Sequence, residues 1–308
     1  MKKMKKIGVI GLGGIAQKAY LPVMMTMSDE VDWHFYTRNQ EKLAKIGKQY
    51  RVEKLYSTIE QLIESGITMA FVHTATETHG QIIKQLLENK IHVYVDKPIS
   101  ENLEEVKELM ELASEKKVQL VTGFNRRFAP MIQKLKAVPE KNMLFIQKNK
   151  TNSQTKVQRG IYDMFIHVLD TAVYLLDEPI LKTSYHLKTE GEYLKNCVME
   201  IITENSICIA SMNYMSGANT ETAEVMSTVG GTHRVVNLTE YEGNQNGEKT
   251  IIEFGDWETT LEKRGFAPII RKFIEGVETG EAAVSMDSAL TSHQLCQKIV
   301  NGEIKHTL

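Results

Sequence analysis

Three groups of residues in this sequence have the types and the spacing to do chemistry. Asp163, His167 and Asp170 fall at i, i+4 and i+7, which puts them on one stripe of a helix. The positions between them, Met164, Phe165, Ile166, Val168 and Leu169, are apolar nearly all round, so the helix is expected to be buried. A buried Asp–His pair needs a reason. An imidazole held by a carboxylate one turn away is suited to accept a proton near neutral pH, and the alternative is a core histidine satisfied by Asp163. The second group is Lys97, which follows the apolar run VYV and Asp96 and precedes Pro98. Proline restricts the lysine backbone to extended conformations. Lys97 is then either a solvated turn lysine or a charge beside a ligand crevice at the carboxyl end of a strand.

The third group is KKIGVIGLGGIA, from Lys5 to Ala16. Ile7, Val9 and Ile10 read as a strand, Gly11, Gly13 and Gly14 as a tight turn, and Ile15 and Ala16 as the start of a helix. Gly11 permits the turn, and Gly13 lets a pyrophosphate approach the main chain. The N–H groups at the helix start face the phosphate charge, while Ala16 meets a demand only for a small side chain. This reads as a dinucleotide site, with an ordinary strand-to-helix connection as the alternative. The cofactor preference rests on the end of the next strand, Tyr36-Thr37-Arg38-Asn39, which has no acid to accept from a ribose 2′-hydroxyl. Asp32 lies about five steps of ~3.3 Å away from Thr37, at the other end of the strand. Thr37 and Arg38 offer a hydroxyl and a guanidinium to a 2′-phosphate. NADP(H) is therefore expected in preference to NAD(H), unless Arg38 merely stacks on adenine.

The elements that must carry these groups can be read from the pattern. Strand and helix signals alternate over about 120 residues, the mark of βαβ units around a doubly wound parallel sheet. Strands are expected at 31–37, 68–74, 91–95 and 118–122, and helices at 40–50, 58–65, 77–89 and 102–116. After Gly123 the texture changes: a helix at 129–137, a strand at 143–150, a helix at 161–176, then successive strands from 180 to about 254. Two helices, near 267–278 and 287–300, close the chain. The expected fold class is α/β: an N-terminal Rossmann domain over 1–123, then an α+β domain over 124–308 with a mostly antiparallel open sheet. The strand 206–214 carries Ile207 and Ile209 on one face and Cys208, Ala210, Met212 and Tyr214 on the other. One face can pack on the domain's own helices; the other is expected to pair with a second subunit, giving a homodimer or homotetramer, unless the C-terminal helices cover it.

Composition narrows the function classes. The 308 residues are 42% hydrophobic and 25% charged, as in ordinary globular proteins, and the net charge of -2 leaves no basic footprint for nucleic acid. The positive MKKMKK start is followed by a short apolar run broken by glycines, which makes neither a signal peptide nor a membrane span, so the cytoplasm is expected. Cys197, Cys208 and Cys296 have neither metal-ligand nor disulfide spacing and read as core thiols; no metal site is expected.

Taken together, five pieces in order resemble the glucose-fructose oxidoreductase, inositol dehydrogenase and rhizopine catabolism family (Gfo/Idh/MocA) over essentially the whole chain. They are GLGGIA followed by Leu21-Pro22, then TATETH from Thr74 to His79, Asp96-Lys97-Pro98, GFNRRF from Gly123 to Phe128, and Asp163-x-x-x-His167. The wording of GFNRRFAP and MFIHVLDTA is similar to the MviM-like subgroup. The resemblance implies hydride transfer between nicotinamide and a secondary alcohol or ketone of a sugar, polyol or related small molecule. It implies Lys97 and His167 as the catalytic pair, with Asp163 positioning the hydroxyl or the histidine. Thr74, His79 and Lys97 would join Gly11, Gly13, Gly14, Ile15, Ala16, Thr37 and Arg38 at the cofactor. Asn125 and Arg126, with Arg127 beside them, would serve the substrate together with Asp163 and His167. A non-catalytic dinucleotide-binding sensor is the rival reading, and the presence of Lys97, Asp163 and His167 argues against it. Three departures from the family's pattern stand out: Tyr20 replaces a frequent histidine, Ala75 a frequent proline, and Asp96 is one methylene shorter than glutamate.

Overall fold

Short apolar runs, three of them followed by helices with side-chain caps, build the first sheet. A computed structural model describes residues 4–302. Strands β1 (Lys5–Ile10), β2 (Val31–Tyr36), β3 (Leu55–Tyr56), β4 (Met69–Val72), β5 (His92–Val95) and β6 (Leu120–Thr122) form a six-stranded sheet in the order β3-β2-β1-β4-β5-β6. Every pairing in it is parallel. The strand β4 is buried along its length because helices cover both faces of such a sheet. Side-chain caps start the helices where the sequence offers them: Asn39, Thr58 and Asn102 each accept from a main-chain N–H in the first turn. The two-residue β3 is too short to show in the hydrophobic pattern, and it takes its place only by pairing with β2.

The second sheet has eight strands. They are β7 (Lys141–Asn149), β8 (Lys182–Glu190), β9 (Tyr193–Ile202), β10 (Ile207–Asn213), β11 (Thr220–Ser227), β12 (Gly231–Val236), β13 (Glu240–Gln245) and β14 (Glu248–Ile252). Their order is β14-β13-β12-β11-β7-β10-β9-β8, and only the β7–β10 pairing is parallel. One face packs on the helix Ile166–Leu175 through Leu144, Ile146, Cys208, Ala210 and Met212, all buried. On the other face Phe145 and Ile207 are each 39% exposed and Val198 37%, so no helix among the described residues covers these three side chains.

The division of the chain differs from a single cut at Gly123. One unit runs to Gly123 and also takes in Phe266–Asp287; the other holds Phe124–Gly265 and the chain from Ser288 onward. The helix Phe266–Thr279 explains the difference. Its Phe273 ring packs 5.1 Å from Phe71 and 5.7 Å from Tyr94, and Phe266 lies 5.5 Å from Tyr20. The Gln119 side chain donates to the Gly276 carbonyl at 2.8 Å. Periodicity reveals that this helix has an apolar face, but it carries no information about which sheet that face meets. Among the described residues, no helix is long and apolar enough to cross a membrane.

Candidate active site

In the first unit the glycine turn sits where the strand order reverses, between β1 and β4, at the carboxyl edge of the sheet. Gly11 has φ +89°, and a Cβ there would lie 2.8 Å from the Thr74 nitrogen and 2.9 Å from the His73 carbonyl carbon. No other residue fits. Above Gly13 the nearest atom a Cβ would meet is 4.0 Å away, and above Gly14 there is none within 4 Å. The turn is thus closed beneath by His73 and Thr74, just past β4, and open above, a shape that fits a dinucleotide pyrophosphate. Ala16 is buried and Ile15 is 39% exposed. Thr37 is half-buried and Arg38 exposed past the end of β2, while Asp32 is engaged by His34 at 3.1 Å.

Lys97 is half-buried beyond the end of β5, and the Lys97–Pro98 bond is cis. The loops around it are tied together from below. His79 is 1% exposed, with Nδ1 2.9 Å from the Pro98 carbonyl and Nε2 3.2 Å from the Thr74 carbonyl. It fixes backbone at two of the sites that the sequence marks. Two of the departures noted above meet here: the Tyr20 hydroxyl donates to Asp96 Oδ1 at 2.8 Å and lies 3.0 Å from the Tyr94 hydroxyl. The long phenol reaches the short carboxylate, and this anchors the residue before Lys97 to the helical turn that follows the glycines. Burial pushes the Asp96 carboxyl up, against the pull of Lys97 and the Tyr20 hydroxyl. Below, the His73 ring stacks on Tyr20 at 3.8 Å; burial holds its pKa down at about 3, and neither ring nitrogen has a hydrogen-bond partner among the described residues. Tyr20 and His73 were invisible as a pair to sequence reasoning, because the contact joins the helical turn after β1 to the residue that follows β4.

In the second unit the stripe Asp163, His167, Asp170 divides. The helix is not a continuous α-helix: Ile161–Phe165 is a π-helical turn, followed by α-helix over Ile166–Leu175. Such turns recur at functional sites. A second π-turn, Ala16–Tyr20, follows the glycines. Asp163 and His167 are half-buried rather than buried, so each keeps an accessible edge. Asp163 neighbours Tyr214, whose hydroxyl donates to the Gly160 carbonyl at 3.1 Å and whose pKa is raised by burial and by the Asp163 charge. Asp170 has a different task. It is 1% exposed and takes Arg127 in an ion pair at 2.6 Å, and the Ser292 hydroxyl donates to it at 2.9 Å. Arg127 also donates to the Ser288 hydroxyl at 2.8 Å, so this residue of the GFNRRF stretch is part of the framework.

Its neighbours are placed elsewhere. The Asn125 amide donates to the Arg264 carbonyl at 2.7 Å. Arg126, 5% exposed, donates to both oxygens of Glu221, and Lys148 pairs with the same carboxylate. Glu221 is lowered well below the carboxylate range: burial raises it, but Arg126 and Lys148 outweigh that. Sequence reasoning missed Glu221, Lys148 and Arg264. A signal existed for two of them, since Lys148 continues the inward row Leu144, Ile146 of β7, and Glu221 the inward row of Val225 and Ala223 in β11. A charge at the end of an inward-facing apolar row is an address for a site.

Comparison with known proteins finds relatives of both parts of the chain. The sequence profile of an oxidoreductase family with an NAD-binding Rossmann fold matches residues 5–124, and that of a YceM-like C-terminal domain matches residues 130–246. YceM of Salmonella typhimurium, an oxidoreductase by name, is 32% identical over 277 residues, 89% of each chain. The crystal structure of a dehydrogenase (MviM) from Clostridium difficile is 33% identical with a TM-score of 0.91, covering 97% of this chain and 100% of that one. A myo-inositol 2-dehydrogenase of Thermotoga maritima is 30% identical over 187 residues, which span 57% of this chain and 56% of its own length.

Proposed function

Since the chain belongs to the Gfo/Idh/MocA family of NAD-binding oxidoreductases, we propose that it moves hydride between a nicotinamide cofactor and a secondary alcohol or ketone of a sugar or polyol. The observation that carries the proposal is the tie between the glycine turn and Lys97: Tyr20, at the end of the turn's helix, holds Asp96, the residue before the lysine. When bound, the nicotinamide supplies the hydride donor or acceptor. Gly11, Gly13 and Gly14 would hold the pyrophosphate, with Ile15, Ala16 and Thr74 around the turn. Lys97 hydrogen-bonds the substrate oxygen and stabilises the charge that develops on it. His167 exchanges the hydroxyl proton, and Asp163 orients the hydroxyl or the imidazole. Asn125 and Arg126 serve the substrate side. The three buried free thiols suit a reducing compartment, the cytoplasm.

For the cofactor, Thr37 and Arg38 favour a 2′-phosphate, and no carboxylate stands between Tyr36 and Asn39 to favour the free hydroxyl. Fluorescence titration is expected to show tighter binding of NADPH than NADH, with the difference reduced about tenfold in Arg38→Ala. Equal or tighter binding of NADH would reverse the assignment.

The exposed outer face of the second sheet supports self-association. Phe145 and Ile209 pair directly across β7 and β10, next to exposed Ile207. We expect light scattering at micromolar concentration to give a dimer or tetramer, and Phe145→Glu to shift it toward monomer because the charge would be buried unpaired. A monomeric wild type would remove this part of the proposal.

A further inference from the structure

The inward face of the second sheet ends on charge. Met212, Lys148 and Glu221 stand side by side in register on β10, β7 and β11, just past rows of buried apolar residues. Lys148 and Glu221 have side chains only 12% and 15% exposed, and Arg126, which shares the carboxylate, 6%. A third cation is held beside them by its main chain. The Arg264 carbonyl accepts from Asn125, and the following Gly265, at φ +79°, lies so close to the 125–129 turn that a Cβ would meet the Asn125 oxygen at 2.1 Å. The half-buried Arg264 guanidinium has no hydrogen bond or ion pair among the described residues, and it feels the repulsion of Arg126 and the attraction of Glu221.

Three cations therefore stand around one carboxylate, and only two of them are bonded to it. A structural bridge needs one cation for one acid, and further shielded positive charges raise the energy of the fold until an anion joins them. Burial and Arg126 push the Lys148 pKa down to about 8 in spite of Glu221. We infer that Arg126, Lys148 and Arg264 form an oxyanion-binding subsite that takes the carboxylate or phosphate of an anionic sugar derivative. The subsite is close to the chemistry of its own unit. Tyr214, the neighbour of Asp163, continues β10 one strand over and two residues along from Lys148, which at ordinary sheet spacings is about 8 Å, within reach of one sugar molecule. That the anion belongs to the substrate rests on the hydride-transfer reading; the subsite itself does not.

Inorganic phosphate titrated calorimetrically into the full chain, in chloride buffer at constant ionic strength, tests the inference without cofactor or turnover. We expect a saturable component that weakens at least about tenfold in both Lys148→Gln and Arg264→Gln. D-gluconate or D-glucose 6-phosphate should displace it and D-glucose should not. Displacement by gluconate alone assigns the carboxylate, and by the sugar phosphate alone the phosphate group. Phosphate held at the glycine turn is untouched by either substitution, so a component that survives both variants, or none at all, overturns the subsite. So does displacement by D-glucose, or by neither anion. Arg264→Gln removes a guanidinium with no hydrogen bond or ion pair among the described residues, so its fold, checked by circular dichroism, should be intact. A variant-sensitive phosphate component in a protein that transfers no hydride would refute the hydride-transfer reading and leave the subsite standing.

Discussion

His167→Asn is expected to lower turnover by about two to four orders of magnitude, the usual cost of losing a general base, while NADPH affinity stays as it was. The amide keeps the size and one hydrogen-bonding edge of the imidazole but cannot take a proton near neutral pH. Lys97→Met is expected to cost a similar factor, here by removing the donor to the developing alkoxide. The histidine variant is the cleaner of the two, because Lys97 adjoins the Asp96–Tyr20 anchor and its loss can loosen cofactor ordering. If His167 were only a core residue, activity and thermal stability would fall together. A variant that unfolds several degrees earlier and loses activity merely in proportion would support that alternative.

The second large effect concerns stability and separates the two aspartates of the stripe. Asp170→Asn leaves Arg127, a residue 6% exposed, without its carboxylate partner. Arginine cannot shed its charge, so the expected loss is about 3–5 kcal/mol, read from urea denaturation. Arg127→Met should be milder and depend on pH. With the cation gone, burial, the largest influence on Asp170, drives the carboxyl up, so it folds protonated at low pH and must stay protonated or be buried charged at high pH. A folded pKa above the unfolded one means that stability is retained below the unfolded value and lost as pH rises through the folded value. The deficit of Arg127→Met should therefore grow from pH 5 to pH 8. Asp163→Asn, on a half-buried side chain, should cost little stability and much activity.

What the sequence disclosed and what it hid follow from the range of the interactions. The parallel sheet was legible because each strand is a local apolar run, and the caps Asn39, Thr58 and Asn102 mark helix starts from within four residues. Gly11 was legible because a turn with positive φ accepts little else. The helix Phe266–Thr279 was found, but its allegiance to the first unit was not, since Phe71, Tyr94 and Gln119 lie more than a hundred residues away in the chain. The π-turn at Ile161–Phe165 leaves no mark in a 3.6-residue pattern. Without it, Asp163, His167 and Asp170 look alike, whereas one of the three is sealed into an ion pair. Tyr20 and Asp96 were legible singly as departures from a family pattern, and only the fold shows that each compensates the other.

The most direct measurement is hydride transfer itself. The purified chain is incubated with NADP⁺ or NAD⁺ and a panel of sugars, inositols and sugar acids, and with the reduced cofactors and the corresponding keto forms, while nicotinamide absorbance is followed. We expect at least one polyhydroxylated compound to be turned over, faster with the phosphorylated cofactor, and the signal to vanish in Lys97→Met and His167→Asn. Tight NADPH binding with no turnover of any member of the panel, and no difference between wild type and His167→Asn, would contradict the proposal and make the chain a dinucleotide-binding sensor.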